Sequence, residues 1–151
     1  MIFISAILIG VVGLGTADPE FDKKLLTEGI KHAADCASSN NIQFDVCAEM
    51  FKKETDLKDK KFDGCKCWIP CVAKKMNAMK EDGTWNIDEV KKIIESLHNV
   101  EWKAEAEKVL PLCKDVKGTH CEAGFEAFHC VMNHSDKARN FVESMMMTLS
   151  G

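Results

Sequence analysis

Cysteine thiols offer the most chemistry in this chain of 151 residues, which contains eight cysteines. A thiolate can bind zinc, and two thiols can join in a disulfide. Cys65, Cys67 and Cys71 with a histidine form a conceivable zinc set, but the two Cys-x-x-Cys pairs of a zinc ribbon are absent. Which chemistry applies depends on the compartment, because disulfides persist only where it is oxidising.

An apolar leader opens the chain. It runs from Ile2 to Gly13, and small residues up to Ala17 precede the first charge at Asp18. This pattern is typical of a secretory signal peptide cleaved after Ala17, and it is shorter than the roughly 20 apolar residues of a membrane span. Because no Lys or Arg follows Met1, an uncleaved anchor is the alternative. We predict a signal peptide at 1–17 and a secreted, extracellular domain at 18–151, without membrane insertion and with paired cysteines.

The remaining residues predict neither catalysis nor a cofactor. The sequence has no Gly-x-Ser-x-Gly elbow, no His-Glu-x-x-His and no phosphate-binding glycine loop. A formal net charge of -4 argues against a nucleic-acid partner. We interpret the stretch from Lys52 to Lys66, where acidic residues alternate with lysines, as a solvated surface loop rather than a site for an anionic partner. Asn133-His134-Ser135 is a glycosylation sequon.

Apolar residues recur at steps of three and four along most of the chain, which predicts an all-α bundle of about six helices. Pro70 and Pro111 are expected to kink or end the helices that contain them, and the third helix could start as late as Cys67. Asn86 with Glu89, and Thr119 with Glu122, have the spacing of capping boxes. The first predicted helix begins at Pro19, the second holds Phe44 to Phe51, and the third runs from Asp63-Gly64 to about Lys80. The fourth begins at Asn86, the fifth spans Glu101 to Cys113, and the sixth follows Thr119. An apolar tail covers 135–151.

The cysteine positions restrict the pairing without fixing it. Cys67 and Cys71 are four residues apart and share a helix face, so they can tie one helix to two neighbours. Cys121 and Cys130 face opposite ways on a helix and need partners on other segments. Cys65 diverges from Cys67, which suggests that it belongs to a different bridge. Many pairings remain open on geometry alone.

In order and spacing, six of the cysteines resemble the signature of the insect odorant-binding protein family, which includes the pheromone-binding proteins. The signature is Cys36, a long gap, Cys67-x3-Cys71, another long gap, Cys113, and Cys121-x8-Cys130. The segment from Cys71 to Asn86 is also similar to the family. Val131 follows the last of these cysteines where the Plus-C branch has Pro, so the chain resembles an ordinary member with one added cysteine pair.

The resemblance implies a compact, disulfide-stapled bundle of about six helices around an apolar cavity. It also implies three bridges, and the two remaining cysteines would form a fourth. These pairs are Cys36–Cys71, Cys67–Cys121, Cys113–Cys130 and Cys47–Cys65.

The function implied by the resemblance is that of a carrier, not an enzyme. It would bind small hydrophobic ligands, such as odorants or pheromones, and carry them through aqueous lymph to chemosensory receptors. Its partners would be the ligand, a membrane olfactory receptor and, in a homodimer, a second copy of the chain. Two alternatives are a salivary or venom protein of the same fold that sequesters amines or lipids, and a disulfide-rich interaction protein with a solid core.

The apolar helix faces supply candidates for a ligand pocket. Disulfides, each stabilising by about 2–4 kcal/mol, can offset the van der Waals attraction that is missing across a void. Flexible Met and broad Phe side chains suit an irregular pocket, although ordinary core packing is the alternative for each residue. The candidates are Phe51, Val72, Met76, Met79, Trp85, Ile94, Leu97, Phe125, Phe128 and Phe141.

Polar contacts to a ligand are harder to assign, because the chain contains no Tyr. Candidate donors are Thr84, Trp85, Asn86, Trp102, Ser144 or a backbone group. We also hypothesise that the apolar tail lines or covers the cavity, and that histidine protonation near about pH 5 to 6 loosens it.

Overall fold

The computed structural model describes residues 19–50 and 55–150, which contain seven α-helices and, apart from an isolated bridge between Met79 and Trp85, no β-structure. The predicted signal peptide at 1–17 and the candidate Phe51 lie outside this part of the chain. The all-α prediction is confirmed, and the predicted tail is a seventh helix. The helices are α1 (Pro19–Ser39), α2 (Phe44–Glu49), α3 (Asp63–Lys75), α4 (Ile87–Glu95), α5 (Val100–Cys113), α6 (His120–His134) and α7 (Asp136–Ser150).

Helices α1 and α3 are both followed by an asparagine in the left-handed conformation. Asn77 has φ +56°, and the N–H of Ala78 donates to the carbonyl of Ala73 at 2.8 Å, which closes a Schellman motif. Asn41, with φ +52°, ends α1 in the same way. The prediction that the third helix continues to about Lys80 is therefore wrong, because Asn77 turns the chain well before the glycine that follows Asp82.

Both predicted capping boxes are also wrong. Asn86 and Thr119 do occupy N-cap positions, but neither side chain accepts a backbone hydrogen bond there. The Asn86 amide instead donates to the carbonyl of Asn77 at 3.2 Å, so this side chain closes the turn after α3. The capping side chain that the structure does show on α5 is Asn99, which accepts from the N–H of Trp102 at 3.0 Å.

Four disulfides join the helices. Cys36–Cys71 links α1 to α3, Cys67–Cys121 links α3 to α6, and Cys113–Cys130 links α5 to α6. The added pair, Cys47–Cys65, fastens the short α2 to the start of α3. These are the four pairs that the family resemblance implies, and they leave none of the eight thiols for zinc.

The stretch before α3 is only partly a solvated loop. Among its described residues, Lys58, Lys60 and Lys61 are exposed. Phe62, at the end of the short 3₁₀ helix Lys60–Phe62, is fully buried. The surface-loop prediction is thus wrong for Phe62, which anchors the stretch in the core, and for residues 63–66, which form the first turn of α3.

The most extensive contact between two helices joins α3 and α6. Helix α3 starts at Asp63, so the alternative start at Cys67 is wrong, and it continues past Pro70 to Lys75. The ring of Pro70 packs on Gly124 of α6, where an added Cβ would lie 2.6 Å from the proline Cδ. Glycine at position 124 is what allows the two helices to approach this closely.

Gly124→Ala is therefore expected to destabilise the protein by about 1–3 kcal/mol, because a rigid ring and a helix backbone must move apart. Gly64→Ala is the matched control within α3, since its added Cβ would come no closer than 3.6 Å to the carbonyl oxygen of Asn40, an ordinary contact. We expect the control to be neutral or slightly stabilising. Urea unfolding of the two variants measures the difference, and equal stabilities would contradict this packing.

Helix α7 packs against α2 and α6. Ser135, which is buried, accepts a hydrogen bond from the N–H of Ala138 at 3.1 Å and so caps α7. Ala138 and Val142 are fully buried. The apolar tail thus joins the core as a helix. Among the helices in the described residues, none has the length and apolar character needed to cross a membrane.

Candidate ligand-binding site

Five of the predicted pocket residues are buried together in one apolar cluster. They come from α3, from the turn that follows it, from α4 and its C-terminal end, and from α6, and none is more than 5% exposed. Three more candidates are partly buried and pack against this cluster. The buried five are Val72, Met79, Ile94, Leu97 and Phe128, and the three beside them are Met76, Trp85 and Phe141.

Helix α7 contributes to the cluster through its first half. Phe141 packs edge-on against Trp102 of α5, with ring centroids 5.7 Å apart. The Nζ of Lys137 lies 4.7 Å from the Trp102 ring centroid and donates to Glu101 at 2.7 Å. This hydrogen bond holds the pKa of Glu101 below its usual range. The tail helix is thus fastened to α5 by an aromatic pair on the inside and an ion pair at the surface.

Phe125 has different surroundings from the other candidates. Its ring stacks on the imidazole of His129 at 5.9 Å between centroids, and the Nζ of Lys66 lies 5.5 Å from its own centroid. Phe125 is half-buried at the edge of the apolar face of α6, and it is not part of the apolar cluster.

Most of the polar groups considered for ligand contact are already bonded within the protein. The indole N–H of Trp85 donates to the carbonyl of Ala123 at 3.2 Å, and the hydroxyl of Thr84 donates to Asp82 at 2.6 Å. The latter bond, with a second from the Thr84 backbone, lowers the pKa of Asp82. Asn86 is held by Asn77, as described above. These three side chains therefore have other partners.

His32 of α1 is a polar residue that was not among the predicted ligand contacts. Its Nδ1 atom is buried and has no hydrogen-bond partner in the part of the chain that the structure describes. Buried polar atoms almost always have such a partner, and leaving one without it costs about 1–3 kcal/mol. The signal that could have found it is spacing, because His32 precedes the buried Cys36 by four residues and so lies on the inward face of α1.

Metal binding finds no support in the part of the chain that the structure describes, where no group of three or more His, Cys, Asp or Glu side chains could hold an ion. Among the described residues, the arrangement offers an apolar cluster and, on α1, one buried imidazole nitrogen without a hydrogen-bond partner. An apolar cluster of this kind suits a molecule that is mostly hydrocarbon.

Comparison with known proteins gives the same picture. General odorant-binding protein 57c of Drosophila melanogaster is 27% identical over 128 residues, which cover 79% of this chain and 80% of that protein. The crystal structure of the odorant binding protein lmigOBP1 of Locusta migratoria has the same fold, with a TM-score of 0.63 and 20% identity over 82% of this chain and 91% of that one. The PBP/GOBP family model matches residues 19–134. The family resemblance seen in the cysteine spacing is confirmed: the chain belongs to the PBP/GOBP family of odorant-binding proteins.

Proposed function

We propose that this protein is a secreted carrier that reversibly binds small hydrophobic molecules and takes them through aqueous lymph to chemosensory receptors. The observation that carries the proposal is the family match over residues 19–134. It is supported by the disulfide framework and by the apolar leader, since both are typical of exported proteins.

The bound molecule would lie among the side chains of the apolar cluster. Burial of apolar surface, worth about 25 cal/mol per Å², would supply most of the affinity. Met76 and Met79 would adapt to ligands of different shape, because the methionine side chain is unbranched and flexible. Phe141 would form a wall contributed by α7, so the tail helix would line the site rather than close over it from outside.

The direct test is titration of the mature protein with N-phenyl-1-naphthylamine, an apolar dye that fluoresces when it leaves water. We expect saturable binding and displacement by long-chain alcohols. Val72→Phe fills the cluster and should weaken dye binding at least about tenfold, which corresponds to about 1.4 kcal/mol. Leu112→Phe adds a ring at a position that is 55% exposed and should leave binding unchanged. Absence of saturable dye uptake by the folded protein would contradict the proposal.

We further propose that His32 is the polar contact for the ligand. His32→Leu should weaken binding of a long-chain alcohol by about 2- to 10-fold, the value of one net hydrogen bond, and leave the affinity for a matching alkane within about twofold. His134→Leu, at an exposed position, is the control. Competition against the dye measures both affinities, and equal losses for alcohol and alkane would show that His32 acts only through packing.

A further inference from the structure

One chemical feature of the chain has no part in the carrier function. Asn133-His134-Ser135 is the single Asn-x-Ser/Thr sequon in the sequence, and it lies where α6 ends and α7 begins. A sequon becomes glycosylated only in a chain that enters the secretory pathway and only if the acceptor amide is reachable. In the structure, Asn133 and Ser135 differ in their exposure and in their hydrogen bonds.

The acceptor side chain is at the surface. Asn133 is exposed in the last turn of α6, and among the described residues its Nδ2 has only long contacts, 3.4 and 3.5 Å, to the ring nitrogens of His129 one turn earlier. Contacts of this length hold an amide weakly. A saccharide on Nδ2 would therefore project into solvent without displacing any buried group.

The serine of the sequon has the opposite environment. Ser135 is 1% exposed, its hydroxyl accepts from the N–H of Ala138, and its own N–H donates to the carbonyl of Val131 at 2.9 Å. Recognition of a sequon requires the serine hydroxyl as well as the amide. In the folded protein this hydroxyl is buried at the α6–α7 corner, the junction of the two helices at Ser135. An oligosaccharyltransferase could therefore bind the sequon only before this corner forms.

We propose that Asn133 carries an N-linked oligosaccharide, and that it is added to the chain before the α6–α7 corner folds. In this step Nδ2 of Asn133 forms a bond to the anomeric carbon of a lipid-diphosphate-linked oligosaccharide and loses a proton. The bond between that carbon and the diphosphate oxygen breaks, and the lipid diphosphate leaves. The inference rests on secretion, which is part of the proposed function.

Competition with folding follows from the position of the sequon. Cys130, three residues before the acceptor, is bridged to Cys113. Formation of this bridge and capping of α7 by Ser135 both fix the segment in its folded form. Slower formation of the Cys113–Cys130 bridge should therefore raise the fraction of chains that are glycosylated.

Intact mass measurement of the full chain secreted from insect cells tests the proposal. We expect a mass above that of the mature polypeptide, which peptide-N-glycosidase A removes while converting Asn133 to Asp. Asn133→Gln should appear at the polypeptide mass, and Ser135→Thr, which keeps both the sequon and the capping hydroxyl, should retain the added mass. Wild-type protein secreted at the polypeptide mass would overturn the inference.

The order of events is tested with purified oligosaccharyltransferase and its lipid-linked donor. The reduced, unfolded chain should accept the oligosaccharide, and the oxidised, folded protein should not. Equal modification of both would overturn the claim that folding withholds the site. Dye binding by Asn133→Gln separates this inference from the proposed function, since loss of glycosylation should leave the affinity unchanged, whereas failure of the carrier function would abolish dye binding in every variant.

Discussion

Replacing Cys67 and Cys121 together by alanine is expected to lower the free energy of unfolding by about 4 kcal/mol, the largest effect among the four bridges. This disulfide closes a loop of 54 residues, whereas the others close loops of 35, 18 and 17. A longer loop loses more conformational freedom in the unfolded chain when its ends are joined. The bridge also links α3 to α6, the pair of helices with the most extensive contact.

Urea unfolding followed by tryptophan fluorescence measures this effect. The matched control is the double replacement of Cys113 and Cys130, whose shorter loop predicts a decrease of about 3 kcal/mol. A decrease below about 1 kcal/mol for the Cys67–Cys121 pair would mean that contacts between α3 and α6 keep the unfolded chain compact without the bridge.

Phe62→Ala should destabilise the protein by about 3–5 kcal/mol, because a fully buried aromatic ring is removed and a void is left. The exposed fraction of Phe62 is 0%, and it lies between Lys61 and the first residue of α3. The ring fixes the end of the lysine-rich stretch to the core, so its removal should also free the start of α3 and the nearby Cys47–Cys65 bridge.

Lys60→Ala is the control for Phe62→Ala, since Lys60 is two residues away, exposed, and in the same 3₁₀ helix. Its effect should stay within about 0.5 kcal/mol. Thermal unfolding of the two variants under identical buffer conditions gives the comparison. Similar melting temperatures for the two variants would show that Phe62 does not anchor the lysine-rich stretch in the core.

How far the sequence predicts this structure depends on the type of signal. The cysteine spacing specifies a family, and the pairing follows from the family. The periodic helices are predicted for the same reason that they form, since each needs one apolar face. The end of α3 is missed because Asn77 takes a conformation that Gly usually marks, and the local sequence does not distinguish an asparagine that ends a helix from one that does not.

Single side chains are predicted less well. Phe62 stands alone in a charged run, so no periodicity reveals its burial. Phe125 belongs to the apolar stripe of α6 by spacing, yet it lies at the stripe's edge, where Lys66 and His129 pack on it. The spacing to Cys36 places His32 on the inward face of α1, but the sequence does not show that its buried Nδ1 lacks a hydrogen-bond partner among the described residues. The sequence therefore predicts most of the apolar residues of the candidate site, whereas its polar residue is identified only in the structure.

The fourth bridge has a structural role that its position suggests. It holds α2, the helix of six residues on which α7 packs, against α3. A helix this short is unstable on its own. The added cysteine pair thus secures the surface on which the tail helix rests, and through Phe141 it supports one wall of the proposed ligand site.

The central claim, that a small hydrophobic molecule binds inside the apolar cluster, is tested most directly by nuclear magnetic resonance of the dye complex. With labelled methyl groups, we predict intermolecular Overhauser effects from the dye to Met79, Ile94 and Leu97. Saturable binding with contacts only to the exposed side chains Ile30, Val100 and Leu112 would place the ligand on the surface and contradict the account.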